Sequence, residues 1–174
     1  MRPVFLAPLL VLAAACTAES GSDEHDIEHA RLAAGLRAEL PEVQTIGVDA
    51  LAARMQAGEA PLLLDVRSEE EFAVSHLAGA RRAETLDAAQ ALLADEPRER
   101  EVILYCSVGV RSGHLAEALR RAGWTDVRNL EGSIFAWANA GHPVWRDGER
   151  VREVHPYDAH WGRLLQRSLW SELE

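Results

Sequence analysis

From Val43 onward, short apolar runs alternate with stretches whose apolar positions recur at helical spacing. The runs near 44–47, 62–66, 80–83, 101–105 and 127–129 read as strands, and the stretches near 49–57, 69–75, 86–94, 112–122 and 133–140 as helices. Continuous runs such as Leu62-Leu63-Leu64 and Val102-Ile103-Leu104-Tyr105 suit strands covered on both faces, and their alternation with helices predicts an α/β fold on a parallel sheet. Ser68-Glu69-Glu70-Glu71 is a capping-box pattern that marks where the second strand hands over to a helix. Leu115, Ala116, Ala118, Leu119 and Ala122 form one apolar face of the helix after the fourth strand, with Arg120 and Arg121 before a Gly123 stop. Upstream, Glu24 to Leu40 carries Ile27, Ala30, Leu36 and Leu40 at mostly helical spacing and stops at Pro41, predicting a helix packed on the domain edge.

A chain of 174 residues with 48% hydrophobic content supports one domain plus extensions. Arg2, the apolar run Val4 to Ala15 and then Cys16 read as an export signal, since the run is shorter than the roughly 20 residues that span a bilayer. Leu12-Ala13-Ala14-Ala15-Cys16 looks like a bacterial lipobox, which would make Cys16 a lipidated N-terminus at the cell envelope; with Leu12 one residue early for that pattern, simple cleavage nearby and release to the periplasm stays open. The expected division is a signal peptide over 1–15, a tether over 16–23, an N-terminal helix over 24–40, a domain over 41–147 and a C-terminal extension over 148–174. A net charge of −10 argues against general binding to nucleic acid or to anionic headgroups, but not against a small anion held by local amides and an arginine.

The two cysteines are Cys16 and Cys106, so lipidation of the first leaves the second without an internal disulfide partner outside the cytoplasm, which favours chemistry at Cys106. Cys106 stands on the loop from the fourth strand to its helix, where unpaired backbone N–H groups of the helix start stabilise an anionic sulfur. Arg111 adds a positive charge, and because arginine at a helix start is electrostatically unfavourable, a local anion is expected beside it. Ser107, Val108, Gly109, Val110 and Ser112 complete the candidate binding loop, with the first four contributing backbone amides rather than side chains. Asp65 and Arg67 are supporting candidates: Asp65 to hydrogen-bond backbone at the sheet's edge, Arg67 to pair with Glu71 unless Glu71 caps the helix. His76 reads as structural, and His114, Arg81 and Arg82 as ordinary surface residues. His155, Asp158 and His160 share a segment with Pro156 and no cysteine, a poor pattern for a closed zinc site, so no metal is expected. Tyr157, Trp161, Leu164, Leu165 and Trp170 are expected to anchor the C-terminal extension by burial, with the pocket mouth or a partner surface as alternative uses of that extension.

The loop CSVGVRS at 106–112, LLLDVRSEEEF at 62–72, SHLAGA at 75–80 and GWTDVRNLEGSIFAWANAGHPV at 123–144 resemble the rhodanese-like sulfurtransferase domain family, over about residues 45 to 145. The resemblance implies a central, mainly parallel five-stranded sheet flanked by helices on both faces. It also implies a sulfurtransferase in which Cys106 carries a sulfane sulfur as a persulfide, with no cofactor. Donors would be thiosulfate or persulfides, acceptors cyanide, a small thiol or a protein thiol. One departure is Gly132-Ser133, where the family often has a glycine pair, which touches only local turn geometry. Four residues lie between Cys106 and Arg111, a tighter cradle than the longer cysteine–arginine loop of tyrosine and dual-specificity phosphatases, so phosphatase or arsenate-reductase chemistry ranks below sulfur transfer. Only Arg111 is basic in the loop, which favours persulfide donors over thiosulfate. A non-catalytic, membrane-tethered binding or sensing module is the alternative from another class.

Overall fold

The computed structural model describes residues 20–172, with side chains described from residue 25. The signal peptide expected over 1–15, Cys16 and residues 17–19 of the tether lie outside the described residues.

Five short strands form one all-parallel sheet: β1 Gln44–Ile46, β2 Leu62–Asp65, β3 Arg81–Arg82, β4 Val102–Tyr105 and β5 Val127–Leu130, in the spatial order β1-β5-β4-β2-β3. The strand period of two sorts their side chains into two apolar layers. Leu63, Ile103 and Tyr105 face one layer, while Leu62, Leu64, Val102 and Leu104 face the other with Cys106. Helices cover both faces, as a parallel sheet requires. The first layer includes residues of α2 (Val48–Gln56) and α6 (Ser133–Asn139), the second residues of α4 (Leu86–Leu92) and α5 (Val110–Arg121). Between β2 and β3, α3 (Glu69–Val74) starts with the expected capping box: the Ser68 hydroxyl accepts from the Glu71 amide at 3.3 Å and the Glu71 carboxylate from the Ser68 amide at 3.1 Å.

The N-terminal helix α1 runs Ser20–Glu39, beginning four residues earlier than the apolar spacing predicts, inside the stretch read as a tether. It reaches the cysteine loop, since a Cβ at Gly113 would meet Leu40 at 3.1 Å and one at Gly109 would meet Leu36 at 3.7 Å.

Beyond the sheet the chain does more than trail. Val144–Arg146 and Glu149–Val151 form an antiparallel hairpin, β6 and β7, turned by Asp147 (φ 52°) and Gly148 (φ 82°). Positive φ at both central residues is the hairpin turn whose signature is Asp-Gly, so residues 148–174 are not a plain extension but begin inside a hairpin. Trp145 ties the hairpin to the domain by exchanging backbone hydrogen bonds with His76 at 2.8 and 2.9 Å. A short helix α7 (Ala159–Gly162) and a 3₁₀ turn (Arg167–Leu169) follow, and Leu164, Leu165 and Leu169 are buried in the first apolar layer. Backbone polar groups in this tail are met by side chains from distant elements: the Leu164 carbonyl receives Asn139 Nδ2 at 2.8 Å and His29 Nε2 of α1 at 3.0 Å. Burial holds the His29 imidazole below its ordinary pKa, against the pull of the Leu164 carbonyl and Asp26, so the neutral ring bridges α1 to the tail. No described helix is long and apolar enough to cross a membrane.

Candidate active site

Cys106 follows β4 directly and is 1% exposed at the floor of a cavity of about 170 Å³ lined by Ser107, Val108, Val110, Arg111, Tyr157 and Trp161. Its Sγ accepts the Gly109 N–H at 3.1 Å. The loop's carbonyls are tied away from the sulfur: Cys106 O and Ser107 O each accept an amide from the start of α6, from Ile134 and Phe135, at 3.1 Å. Gly109 O accepts Asn129 Nδ2 at 3.0 Å and the Gly113 amide at 3.0 Å. With these three carbonyls bonded elsewhere, the amide that meets the sulfur is that of Gly109, at the helix end whose first-turn N–H groups lack intrahelical partners.

Gly109 makes this turn possible at φ 105°, a left-handed conformation that a side chain would oppose. It also moves the helix start. Spacing places that start at residue 112, but α5 begins at Val110, so Val110, Arg111 and Ser112 occupy its first turn rather than the loop. Ser112 does not face the cavity; its hydroxyl donates to Asn129 Oδ1 at 2.7 Å.

The anion expected beside Arg111 is Glu71. Arg111 Nη1 and Nη2 donate to the two Glu71 oxygens at 2.8 and 2.7 Å, a bidentate pair joining α5 to α3. Ser107 is drawn in as well, donating to Glu71 at 2.8 Å and accepting from Arg111 at 2.9 Å, so its contribution is not confined to its amide. Glu71 is buried, which pushes its carboxyl pKa up, but hydrogen bonding and charge from Arg111 outweigh burial and hold it at about 2. A carboxylate pKa depressed by folding stabilises the protein above its unfolded value near 4.5, and that contribution is lost as pH falls through about 2. The stability difference between the protein and its Glu71→Gln variant is therefore expected to be constant above pH 5 or so and to shrink steadily below it; denaturant titrations at a series of pH values measure this, and a pH-independent difference would refute the pairing.

Arg67 does not pair with Glu71, contrary to one sequence expectation. Its guanidinium turns back onto Asp65, with Nε at 2.9 Å from Oδ1 and Nη2 at 2.7 Å from Oδ2, while the Arg67 amide donates to the same carboxylate at 3.0 Å. Both side chains are fully buried at the end of β2, and Arg67 Nη2 also donates to the Ser75 carbonyl at 2.6 Å. Asp65 thus supports backbone, as expected, and supplies the counter-charge too.

Sequence reasoning gave Ser133 no role. Gly132 (φ 65°) and Ser133 (φ 51°) are both left-handed. A Cβ at Gly132 would lie 2.4 Å from the Ala136 side chain, which excludes any other residue there, whereas Ser133 puts its hydroxyl to use. That hydroxyl accepts the Cys106 amide and donates to the Leu130 carbonyl, both at 3.1 Å. The departure from a glycine pair at this site was the available signal: a serine kept at φ > 0 indicates that its side chain is bonded.

Among the remaining candidates, His76 stacks on Phe72 with ring centroids 4.1 Å apart and bonds its carbonyl through Nδ1 at 3.1 Å. His114 is exposed, 3.6 Å from Glu39. His155 Nδ1 accepts the Tyr157 amide and Asp158 caps α7, and among the described residues no group of three or more His, Cys, Asp or Glu could hold a metal ion. Of the aromatic anchors, Trp161 and Trp170 are half-buried but Tyr157 is 45% exposed and lies over Arg111, with the guanidinium carbon 4.8 Å from its ring centre.

A family model described as rhodanese-like domain matches residues 47–140, which include Asp65, Glu71, Cys106, Arg111 and Ser133. A protein of Allochromatium vinosum named "Sulfurtransferase" is 31% identical over 102 residues, covering 59% of this chain and 94% of that one. The "Probable adenylyltransferase/sulfurtransferase MoeZ" of Mycobacterium tuberculosis is 36% identical over 90 residues, 51% of this chain, but the match spans only 23% of that longer protein. The rhodanese-like domain of the Alr3790 protein from Anabaena sp. superposes with a TM-score of 0.53 at 23% identity, covering 59% of this chain and 78% of that one, a likeness of fold. The family model covers more than half of the 174 residues and the matched fold is the one described above; the chain belongs to the rhodanese-like domain family and, at the level of that family, groups with sulfurtransferases.

Proposed function

We propose that this protein is a sulfurtransferase that carries a sulfane sulfur on Cys106. The observation that carries the reading is the setting of Sγ: a thiol at the floor of a small cavity, bonded by the Gly109 amide, at a helix start and with every loop carbonyl named above tied elsewhere. Amides arranged in this way stabilise a negative sulfur before and after transfer. The Cys106 thiolate attacks the sulfane sulfur of thiosulfate or of a persulfide. The donor's S–S bond breaks, its electron pair leaves with sulfite or with a thiolate, and the outer sulfur remains on Cys106. A cyanide ion, a small thiol or a protein thiol then attacks that outer sulfur and restores the Cys106 thiolate, so no redox partner is needed. Arg111 contributes as part of a unit with Glu71 and Ser107 that fixes the outer rim of the loop. The export reading of residues 1–16, made from sequence, locates this activity at the cell envelope with Cys16 as the point of attachment.

Intact-protein mass spectrometry after exposure to thiosulfate or a persulfide tests the proposal. The expected result is a gain of one sulfur atom, located on Cys106 and removed by cyanide with release of thiocyanate. Absence of any gain with both donors would sink it in favour of a binding module.

A further inference from the structure

Two aromatic side chains from outside the family-matched segment close the Cys106 cavity. Tyr157 belongs to the turn that leads into α7 and Trp161 to α7 itself, and both line the cavity with Cys106, Ser107, Val108, Val110 and Arg111. Tyr157 is held at φ 66°, a left-handed conformation that costs a bulky residue on the order of 1–3 kcal/mol. The turn around it enforces that conformation. The Tyr157 amide donates to His155 Nδ1 at 3.0 Å, the Asp158 amide to the Pro156 carbonyl at 2.9 Å, and the Trp161 amide to Asp158 Oδ1 at 2.8 Å. On the far side Gly162 packs so closely on Trp170 that a Cβ would lie 2.6 Å from its ring. A tyrosine with only solvent to face would gain nothing from this strain; here the anchored turn delivers its ring onto Arg111, at the cavity's mouth.

The charge at the mouth points the same way. Among the described residues, Arg111 is the one basic residue lining this cavity, and both of its terminal nitrogens are already committed to the Glu71 carboxylate. A cation neutralised in this manner offers a compact dianion little net attraction, and beyond Cys106 and Ser107 the remaining wall is mostly apolar, from Val108, Val110, Tyr157 and Trp161. The cavity of about 170 Å³ is comparable to cavities of about 150 Å³ that hold a benzene-sized molecule, room for a disulfanyl tip and a few carbons.

We propose that Tyr157 and Trp161 are specificity-determining residues that make the Cys106 cavity prefer an alkyl persulfide, a sulfane sulfur borne on a carbon chain, over thiosulfate. This rests on the sulfur-transfer reading above. The Cys106 thiolate attacks the outer sulfur of R–S–SH, the S–S bond of the donor breaks, and R–S⁻ departs with the electron pair while Cys106–S–SH forms. One persulfide is consumed as another is made, so no oxidant enters. The carbon chain of R rests on the aromatic wall, where its apolar surface leaves water.

The test is the second-order rate constant for sulfur loading of Cys106 in the purified full chain, read by quenched-flow mass spectrometry with n-butyl persulfide and separately with thiosulfate. Tyr157→Gly removes the ring and relieves the backbone strain, so it separates the ring's role from that of the turn. We expect it to lower the butyl persulfide constant about tenfold and leave thiosulfate within about twofold, while Tyr157→Phe keeps the wild-type ratio and Trp161→Ala shifts it as Tyr157→Gly does. An unchanged ratio in Tyr157→Gly, whether both constants hold or both fall together, overturns the inference alone. Failure of the wild-type protein to load sulfur from either donor overturns the sulfur-transfer reading and this inference with it.

Discussion

Cys106→Ser is expected to abolish sulfur transfer, a loss on the order of 10³-fold or more, while leaving stability within about 1 kcal/mol of the parent. The two parts follow from different features. Serine fits the space, and its hydroxyl accepts the Gly109 amide that now bonds Sγ at 3.1 Å, so the loop keeps its geometry. The carbonyl bonds from Cys106 and Ser107 to α6 involve backbone and survive the change. What is lost is the nucleophile: an alcohol is not ionised near neutral pH, and oxygen in place of sulfur forms no persulfide. Thiocyanate release measures the activity and a denaturant titration the stability. Retention of more than about a hundredth of the activity in a folded variant would remove Cys106 from the reaction.

Asp65→Ala is expected to lower the free energy of unfolding by about 3–5 kcal/mol, a large share of what holds a domain of this size together. Asp65 and Arg67 are both fully buried, and the carboxylate receives the Arg67 amide as well as its guanidinium. Burial opposes a charged guanidinium, yet the Asp65 charge and hydrogen bonds win and hold Arg67 firmly protonated. Without Asp65, the arginine keeps one carbonyl partner, Ser75, and the Tyr105 ring 5.8 Å away, with Nη1 already unpaired. The double variant Asp65→Ala, Arg67→Met is expected to recover at least half of the loss, because it removes the stranded charge and leaves apolar volume in its place. Denaturant titrations of the single and double variants give the coupling; a double variant no more stable than Asp65→Ala would show that the cost lies in the lost volume or backbone bonds instead.

These two residues differ in how far they could be read in advance. Cys106 announces itself, because an unpaired thiol between an apolar run and an amphipathic helix has few structural excuses. Asp65 and Arg67 are close in sequence, yet whether Arg67 turns back to Asp65 or forward to Glu71 depends on which of the two is already engaged. Glu71 is taken by Arg111, forty positions away, and by the Ser68 amide. The same competition explains Ser107, whose hydroxyl finds both of those partners only when α3 and α5 lie side by side. Gly109 shows a smaller shortfall: its left-handed turn starts α5 two residues before the apolar spacing does, since spacing reports the buried face and not the backbone turn ahead of it. The hairpin at Asp147-Gly148, by contrast, is written in the sequence, because its turn needs only the two local residues that tolerate positive φ.

The alternation of strands and helices, the capping box at Ser68, and the thiol followed five residues on by an arginine are legible in the sequence alone, because each is written in local spacing and in side-chain chemistry that acts within a turn or two. Only the tertiary structure decided the strand order, the neutralisation of Arg111 by Glu71, the bond from Ser133 to the Cys106 amide, and the return of Tyr157 to the cavity mouth. Those contacts join residues tens of positions apart, and partners for a buried charge or an unpaired amide are settled by which surfaces folding brings within bonding distance, a choice that no local pattern encodes.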